Sequence, residues 1–156
     1  MLEGKEAMRL STFLVADHAE AVAGKLYLTG GCWNSITVPQ LPAVHPHLTV
    51  AATLHIPWQQ TNQPHSLHVD LIDEDGQSRL PEPLQAELEA GRPPGMRSGD
   101  EAVIVMAFNF DELKLERPGV NTFVLSVDGT ELGRIGFKVL VAGLGRRTQK
   151  ETDTPS

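Results

Sequence analysis

The sequence has one cysteine, Cys32, in 156 residues. A single thiol closes no intramolecular disulfide and excludes a CxxC metal or redox pair. The expected compartment is reducing and cytoplasmic. Aromatic residues make up only 5% of the chain, with two tryptophans, Trp33 and Trp58. Basic residues are also scarce, 13 against 20 acidic ones, for a net charge of −7. Residues 142–156 are weakly basic (Arg146, Arg147 and Lys150 against Glu151 and Asp153), so the body is more acidic still. Such a body repels phosphate backbones and anionic membrane surfaces, and no nucleic-acid or membrane partner is expected. Arg92 and Arg97 form a close basic pair in the body, too few to override its charge. Long apolar runs are missing too. The N-terminus holds nothing longer than Phe13 to Ala16, too short for a signal peptide. No stretch approaches the roughly 18 apolar residues of a membrane span.

What the chain does have is alternation. In "HLTVAATLHI" (47–56), Leu48, Val50, Ala52, Leu54 and Ile56 share one face. His47, Thr49, Ala51, Thr53 and His55 share the other, which reads as a strand with one face in the core and one near water. "SLHVDLI" (66–72) repeats the pattern with Leu67, Val69 and Leu71 inward. "RLSTFLVAD" (9–17), "GKLYLTGG" (24–31) and the weaker "LQAELEAG" (84–91) add strands. "EAVIVMAFNF" (101–110) is apolar on both faces and reads as a central strand covered twice. "NTFVLSVDG" and "LGRIGFKVLV" flank Asp128-Gly129, a hairpin signal. Only "ADHAEAVAG" (16–24) has helix-like composition, and it reads as a helical turn or loop. The fold expected is all-β: an antiparallel β-sandwich of about 8–9 strands, with immunoglobulin-like or related topology. The domain is placed at 8–141, between an N-terminal extension (1–7) and a disordered polar tail (142–156).

Each candidate site competes with a structural reading. "HSLHVDLIDEDGQ" (65–77) gathers two histidines and four acids. A calcium loop with Gly76 at its sixth position puts Leu71, which has no side-chain oxygen, at the first. Pro81 and Pro83 also flank the twelfth-position acid, Glu82. The stretch therefore reads as a strand running into a tight turn, with Asp73, Glu74 and Asp75 exposed and no ion bound. A hairpin between 47–56 and 66–72 would bring His55, His68 and Asp70 together as a two-histidine, one-carboxylate metal site, in one register only. The pattern favours surface histidines, and no cofactor or catalytic residue is expected. Cys32 has no histidine near it in sequence and reads as a small packing group. Two loops could serve recognition, "IPWQQTNQPH" with Trp58, Asn62 and His65, and "GRPPGMR" with Arg92.

Taken together, "FLVADHAEAVAGKLYLTGGCWN", "PWQQTNQPHSLHVDLIDEDG", "AGRPPGMRSGD" and "FNFDELKLERPGVNTFVLSVDGTELGRIGFKV" resemble a family of small actinobacterial proteins of unknown function. The resemblance covers about Met8 to Val141. It implies that "MLEGKEA" is an extension, and glycine at the Cys32 position in that family weakens Cys32 further as a nucleophile. It implies no activity. The expected function is thus a non-catalytic module that binds a protein partner or itself, as a homo-oligomer. The alternatives are a small-ligand or carbohydrate binder using Trp33 or Trp58 as a stacking platform, then a metal-dependent enzyme using His55, His68 and Asp70.

Overall fold

The computed structural model describes residues 7–143. The proposed tail, apart from 142–143, and all but the last residue of the proposed extension lie outside the described residues. Nine strands form two sheets. They are β1 (Arg9–Val22), β2 (Lys25–Gly31), β3 (Ser35–Val38), β4 (Ala43–Ile56), β5 (Pro64–Ile72), β6 (Leu84–Glu89), β7 (Ala102–Leu115), β8 (Gly119–Val127) and β9 (Thr130–Val141). One sheet has the order β2-β1-β4-β7 and the other β3-β9-β8-β5-β6. β3 runs parallel to β9, and every other pairing is antiparallel. The β4–β7 pair opposite the β5–β8–β9 triple is the immunoglobulin-like arrangement.

The core forms where the alternating apolar faces meet. Leu48, Val50, Leu54 and Ile56 of β4 are fully buried. They face Leu67, Val69 and Leu71 of β5, Phe123 and Leu125 of β8, and Phe137 and Val139 of β9. Burying each such side chain contributes about 1.5–3 kcal/mol, so a one-residue slip of β4 would forfeit its whole inward set. Phe110, Phe123 and Phe137 carry the packing from one sheet to the other, with ring centroids 5.0 and 5.9 Å apart.

Three expectations need correction, and one further strand was not legible. Residues 16–22 are not a helical turn; they continue β1. β3 carries no alternation long enough to read in the sequence. β7 is not central: it pairs with β4 alone and forms an edge. β4 and β5 do not form a hairpin, because the chain crosses between sheets at 57–63. His55 therefore lies on the outer face of one sheet, and His68 and Asp70 on the outer face of the other.

The outer face of β4 also differs from the expected solvated surface. Thr49 and Ala51 are fully buried there. A second apolar cluster of Ala16, Ala19 and Ala51, with Leu14, Leu26 and Ala107, explains this. β2 touches β7 although β1 and β4 separate them in the sheet. The β1–β2 hairpin thus curls across the outer face of its own sheet. Its turn places Ala23 and Gly24 at φ of 52° and 77°. The small side chains beneath it allow the close approach.

Candidate interaction surface

The four edges of the sandwich differ. β3 has only four residues, and β6 has six, two of them glutamates. β2 begins on Lys25 and ends on two glycines. Short length, charge and glycine all discourage an edge from pairing with a further strand. β7 carries none of these protections over its first half. It is 14 residues long, and Ala102 to Phe108 contains no charge. On an edge strand, alternate N–H and C=O groups point away from the only neighbour and can receive another strand. Val103 is 56% exposed. The regular edge ends near Glu112, at φ 52°, opposite Pro46, which has no N–H to give the ladder.

Two clefts flank this edge. One, of about 590 Å³, is lined by Leu80, Pro81, Leu84, Phe110 and Leu113. The other, of about 910 Å³, lies between the 91–101 segment and Val103 and Ile104, with Pro93 and Met96 on its wall. They open where the two sheets part, between β6 and β7.

The loop residues singled out from the sequence meet at the end of the sandwich near Ile56. The Arg92 guanidinium lies 3.8 Å from the Trp58 ring centroid. Arg92 also donates from Nε to Thr61 Oγ1 (2.6 Å) and from Nη2 to the Trp58 carbonyl (3.0 Å). Asn62 adopts φ 59°, and its N–H donates to the Ala90 carbonyl at 2.7 Å. His65 is 4% exposed. Its Nδ1 lies 2.6 Å from Asp128 Oδ2 and its Nε2 2.6 Å from the Gln60 carbonyl. Both partners accept, so the ring serves both only as a doubly protonated imidazolium. Burial opposes that charge, but the Gln60 carbonyl and the Asp128 carboxylate outweigh it and raise the His65 pKa. These contacts tie 57–65 to 90–92 and to the 128–129 turn.

Trp33 does not join this group. It packs against His45 and Phe137, each with centroids 6.1 Å away. His45 and Ile56 are 11 residues apart on β4, or about 37 Å at about 3.4 Å per residue. The two tryptophans therefore belong to opposite ends and form no common platform. Cys32, exposed and at φ 67°, donates its N–H to the Val15 carbonyl at 2.8 Å.

Of the remaining sequence candidates, His55 and Asp70 have partners of their own. His55 Nε2 lies 2.7 Å from Ser11 Oγ, and Nδ1 3.3 Å from Glu101 Oε1. Asp70 accepts from Ser78 Oγ at 2.7 Å. In the 73–77 turn, Glu74 and Asp75 are exposed as expected, but the Asp73 side chain is only 9% exposed. It accepts from the Asp75 and Gln77 amides and pairs with Arg117 (2.6 Å) and Arg79. These bonds, the Gln77 amide first, lower its pKa against the cost of desolvation. Among the described residues, no three or more His, Cys, Asp or Glu side chains group as metal ligands, and no helix is long and apolar enough to cross a membrane.

Sequence reasoning missed the β7 edge. Its apolar residues on both faces imitate a doubly covered strand, and strand order is not written in local alternation.

Among solved structures, the chain is similar to an alkylpurine DNA glycosylase from Pseudomonas fluorescens (13% identity, TM-score 0.40) over 86% of this chain and 30% of that one. It is similar to a β-glucosidase from Listeria innocua (10%, 0.42) over 86% of this chain and 16% of that one. An immunoglobulin-like protein from Pseudomonas aeruginosa matches over 86% of this chain and 98% of its own (14%, 0.40). The chain thus spans less than a third of the first two. No curated protein matches the sequence. The model of a family of unknown function, DUF6941, matches residues 11–140.

Proposed function

The chain belongs to DUF6941, a family of unknown function, and from its own geometry we propose that it is a non-catalytic interaction module that pairs with a second copy through β7. The uncharged edge from Ala102 to Phe108 carries this reading. An antiparallel twofold pairing centred on Val105 sets Ala102 against Phe108 and Ile104 against Met106. It brings no like charges together, and Glu101 meets Asn109. Strand addition supplies main-chain hydrogen bonds, and the flanking clefts would receive side chains of the added strand. An isologous contact of this kind closes on itself as a dimer. A cytoplasmic location suits the exposed free thiol of Cys32. The acidic body favours a protein partner over a nucleic acid.

Light scattering coupled to size exclusion tests this. The wild-type chain is expected to run as a dimer. Val103→Lys places a charge on the exposed edge and is expected to give a monomer with an unchanged far-UV spectrum. A wild-type monomer over the accessible concentration range, or a dimer indifferent to Val103→Lys, would overturn the reading.

A further inference from the structure

A chain of four titratable side chains crosses the outer face of the β2-β1-β4-β7 sheet, apart from the edge just described. Glu20 Oε2 lies 3.1 Å from His18 Nε2. His18 Nδ1 lies 3.2 Å from His47 Nε2. His47 Nδ1 lies 2.5 Å from Asp111 Oδ1. Thr49 Oγ1 lies 3.2 Å from the same His47 Nε2 and donates to Asn109 Oδ1 at 2.9 Å. His47 and Asp111 face each other in the β4–β7 register, as do Thr49 and Asn109. His18 arrives on the curled end of β1, where it pairs with Thr29.

Counting protons decides what this row can do. It has three links, and each needs a positive bridge. The carboxylates at both ends only accept, and the two facing ring nitrogens cannot both present lone pairs. The Thr49 hydroxyl gives its proton to Asn109, so it too offers a lone pair. Two neutral imidazoles bring two protons for three links. The carboxylates claim both, on His18 Nε2 and His47 Nδ1. His18 Nδ1 and His47 Nε2 are then left lone pair to lone pair, with the Thr49 oxygen beside them.

We propose that His18 Nδ1 and His47 Nε2 form a binding site for a divalent transition-metal cation of the zinc class. Two nitrogens each about 2.0–2.1 Å from a zinc ion at a near-tetrahedral angle stand a little over 3 Å apart, which matches the 3.2 Å separation. Each ring also donates its distal N–H to a carboxylate, the outer arrangement that orients a metal-bound imidazole. Solvent completes the coordination, with the Thr49 hydroxyl oxygen beside it to accept a hydrogen bond. The site is accessible, with the His18 and His47 side chains 48% and 32% exposed. It uses two protein nitrogens rather than three or four, which suits a modest-affinity or exchanging site rather than a closed structural one.

The test uses the full chain stripped of metal, with Zn²⁺ added alone at a pH where free histidine is neutral. Uptake is measured by equilibrium dialysis, and the imidazole nitrogens by long-range ¹⁵N–¹H correlation. One saturable ion per chain is expected. His18 Nδ1 and His47 Nε2 should take up the metal-bound shift, while His18 Nε2 and His47 Nδ1 keep their protons. His18→Gln and His47→Ala are each expected to abolish saturable uptake. Asp111→Asn should weaken it by about 10–100-fold, and His55→Ala should leave it unchanged. All four side chains lie at the surface or on the outer face, and an unchanged thermal melt verifies the fold of each variant. The proposal is overturned by absent saturable uptake, by uptake that survives His18→Gln, or by a metal shift on the distal nitrogens. The outcome is independent of whether β7 pairs.

Discussion

At the scale of the residue, His65 and Asp128 show how a buried polar group is kept. Ser66 N–H and His65 both donate to the Asp128 carboxylate, in that order of weight, and lower its pKa. The His65 pKa is raised. A raised histidine pKa stabilises the fold below the ordinary value, and that stability is lost as pH rises through the folded value. A lowered carboxylate pKa acts above the ordinary value and is lost as pH falls through the folded one. Both contributions are therefore present together between about pH 4 and 6.5. Asp128→Asn keeps a residue tolerant of positive φ and removes the charge. Its loss of stability should be greatest in that window, at about 1 kcal/mol, because the carboxylate is half exposed. Denaturant melts of both chains across pH measure it, and a pH-independent difference would refute the pairing. Trp33 is the opposite case. Its Nε1 is buried without a partner among the described residues. Trp33→Phe removes an orphan donor worth about 1–3 kcal/mol against some lost contact. It is expected to cost under about 1 kcal/mol by thermal or chemical unfolding, where Trp33→Ala costs about 3.

At the scale of the element, the curled β1–β2 hairpin makes one outer sheet face behave like a core. Ala51 lies beneath it, fully buried. Ala51→Asp should destabilise by more than about 3 kcal/mol, since it buries an unpaired charge. A calorimetric melt that barely moves would mean the hairpin lifts off freely. The β8–β9 turn gives a second check. Asp128 and Gly129 both take positive φ, 51° and 82°, as a two-residue hairpin of this kind requires. Gly129→Ala should cost about 1 kcal/mol in the same assay. These two elements also show what the sequence could reveal. Asp-Gly between alternating runs needs no tertiary knowledge, and the turn was legible. The alternation of Leu48 to Ile56 and Leu67 to Leu71 was legible for the same reason. The alanines of 16–22 were misleading. Their small size reads as helix propensity, whereas here it serves the close approach of a hairpin onto a sheet. The bulge between Leu10 and Thr12 shifts the inward set to Phe13 and Val15, which no fixed period shows. The row from Glu20 to Asp111 was hidden because it joins β1, β4 and β7 through their registers. A loop crossing from one sheet to the other, as at 57–63, also looks the same in sequence as a hairpin loop.

At the scale of the molecule, acidic charge and edge pairing pull in opposite directions. A net charge of −7 opposes association, and salt screens that repulsion. If β7 joins two copies, raising ionic strength should shift the equilibrium toward dimer. Sedimentation at low and high salt would read the change, and dissociation by salt would argue for a contact held by ion pairs instead. The pairing of the sheets also sets the order in which the chain can be built. Only β1–β2, β5–β6 and β8–β9 join neighbours in sequence, while β4 must find β1 and β7 far along the chain. Long loops must close before those contacts repay them, so refolding from denaturant should take milliseconds to seconds. A stopped-flow fluorescence trace complete within microseconds would contradict it. β7 has β4 as its sole partner in the sheet among the described residues, and its first half, Ala102 to Phe108, carries no charge. During synthesis β4 emerges well before β7, so its β7-facing edge stays open until residues 102–115 follow, and crowding selects for rapid capture of β7 by its own β4 before a neighbour's chain can reach either strand.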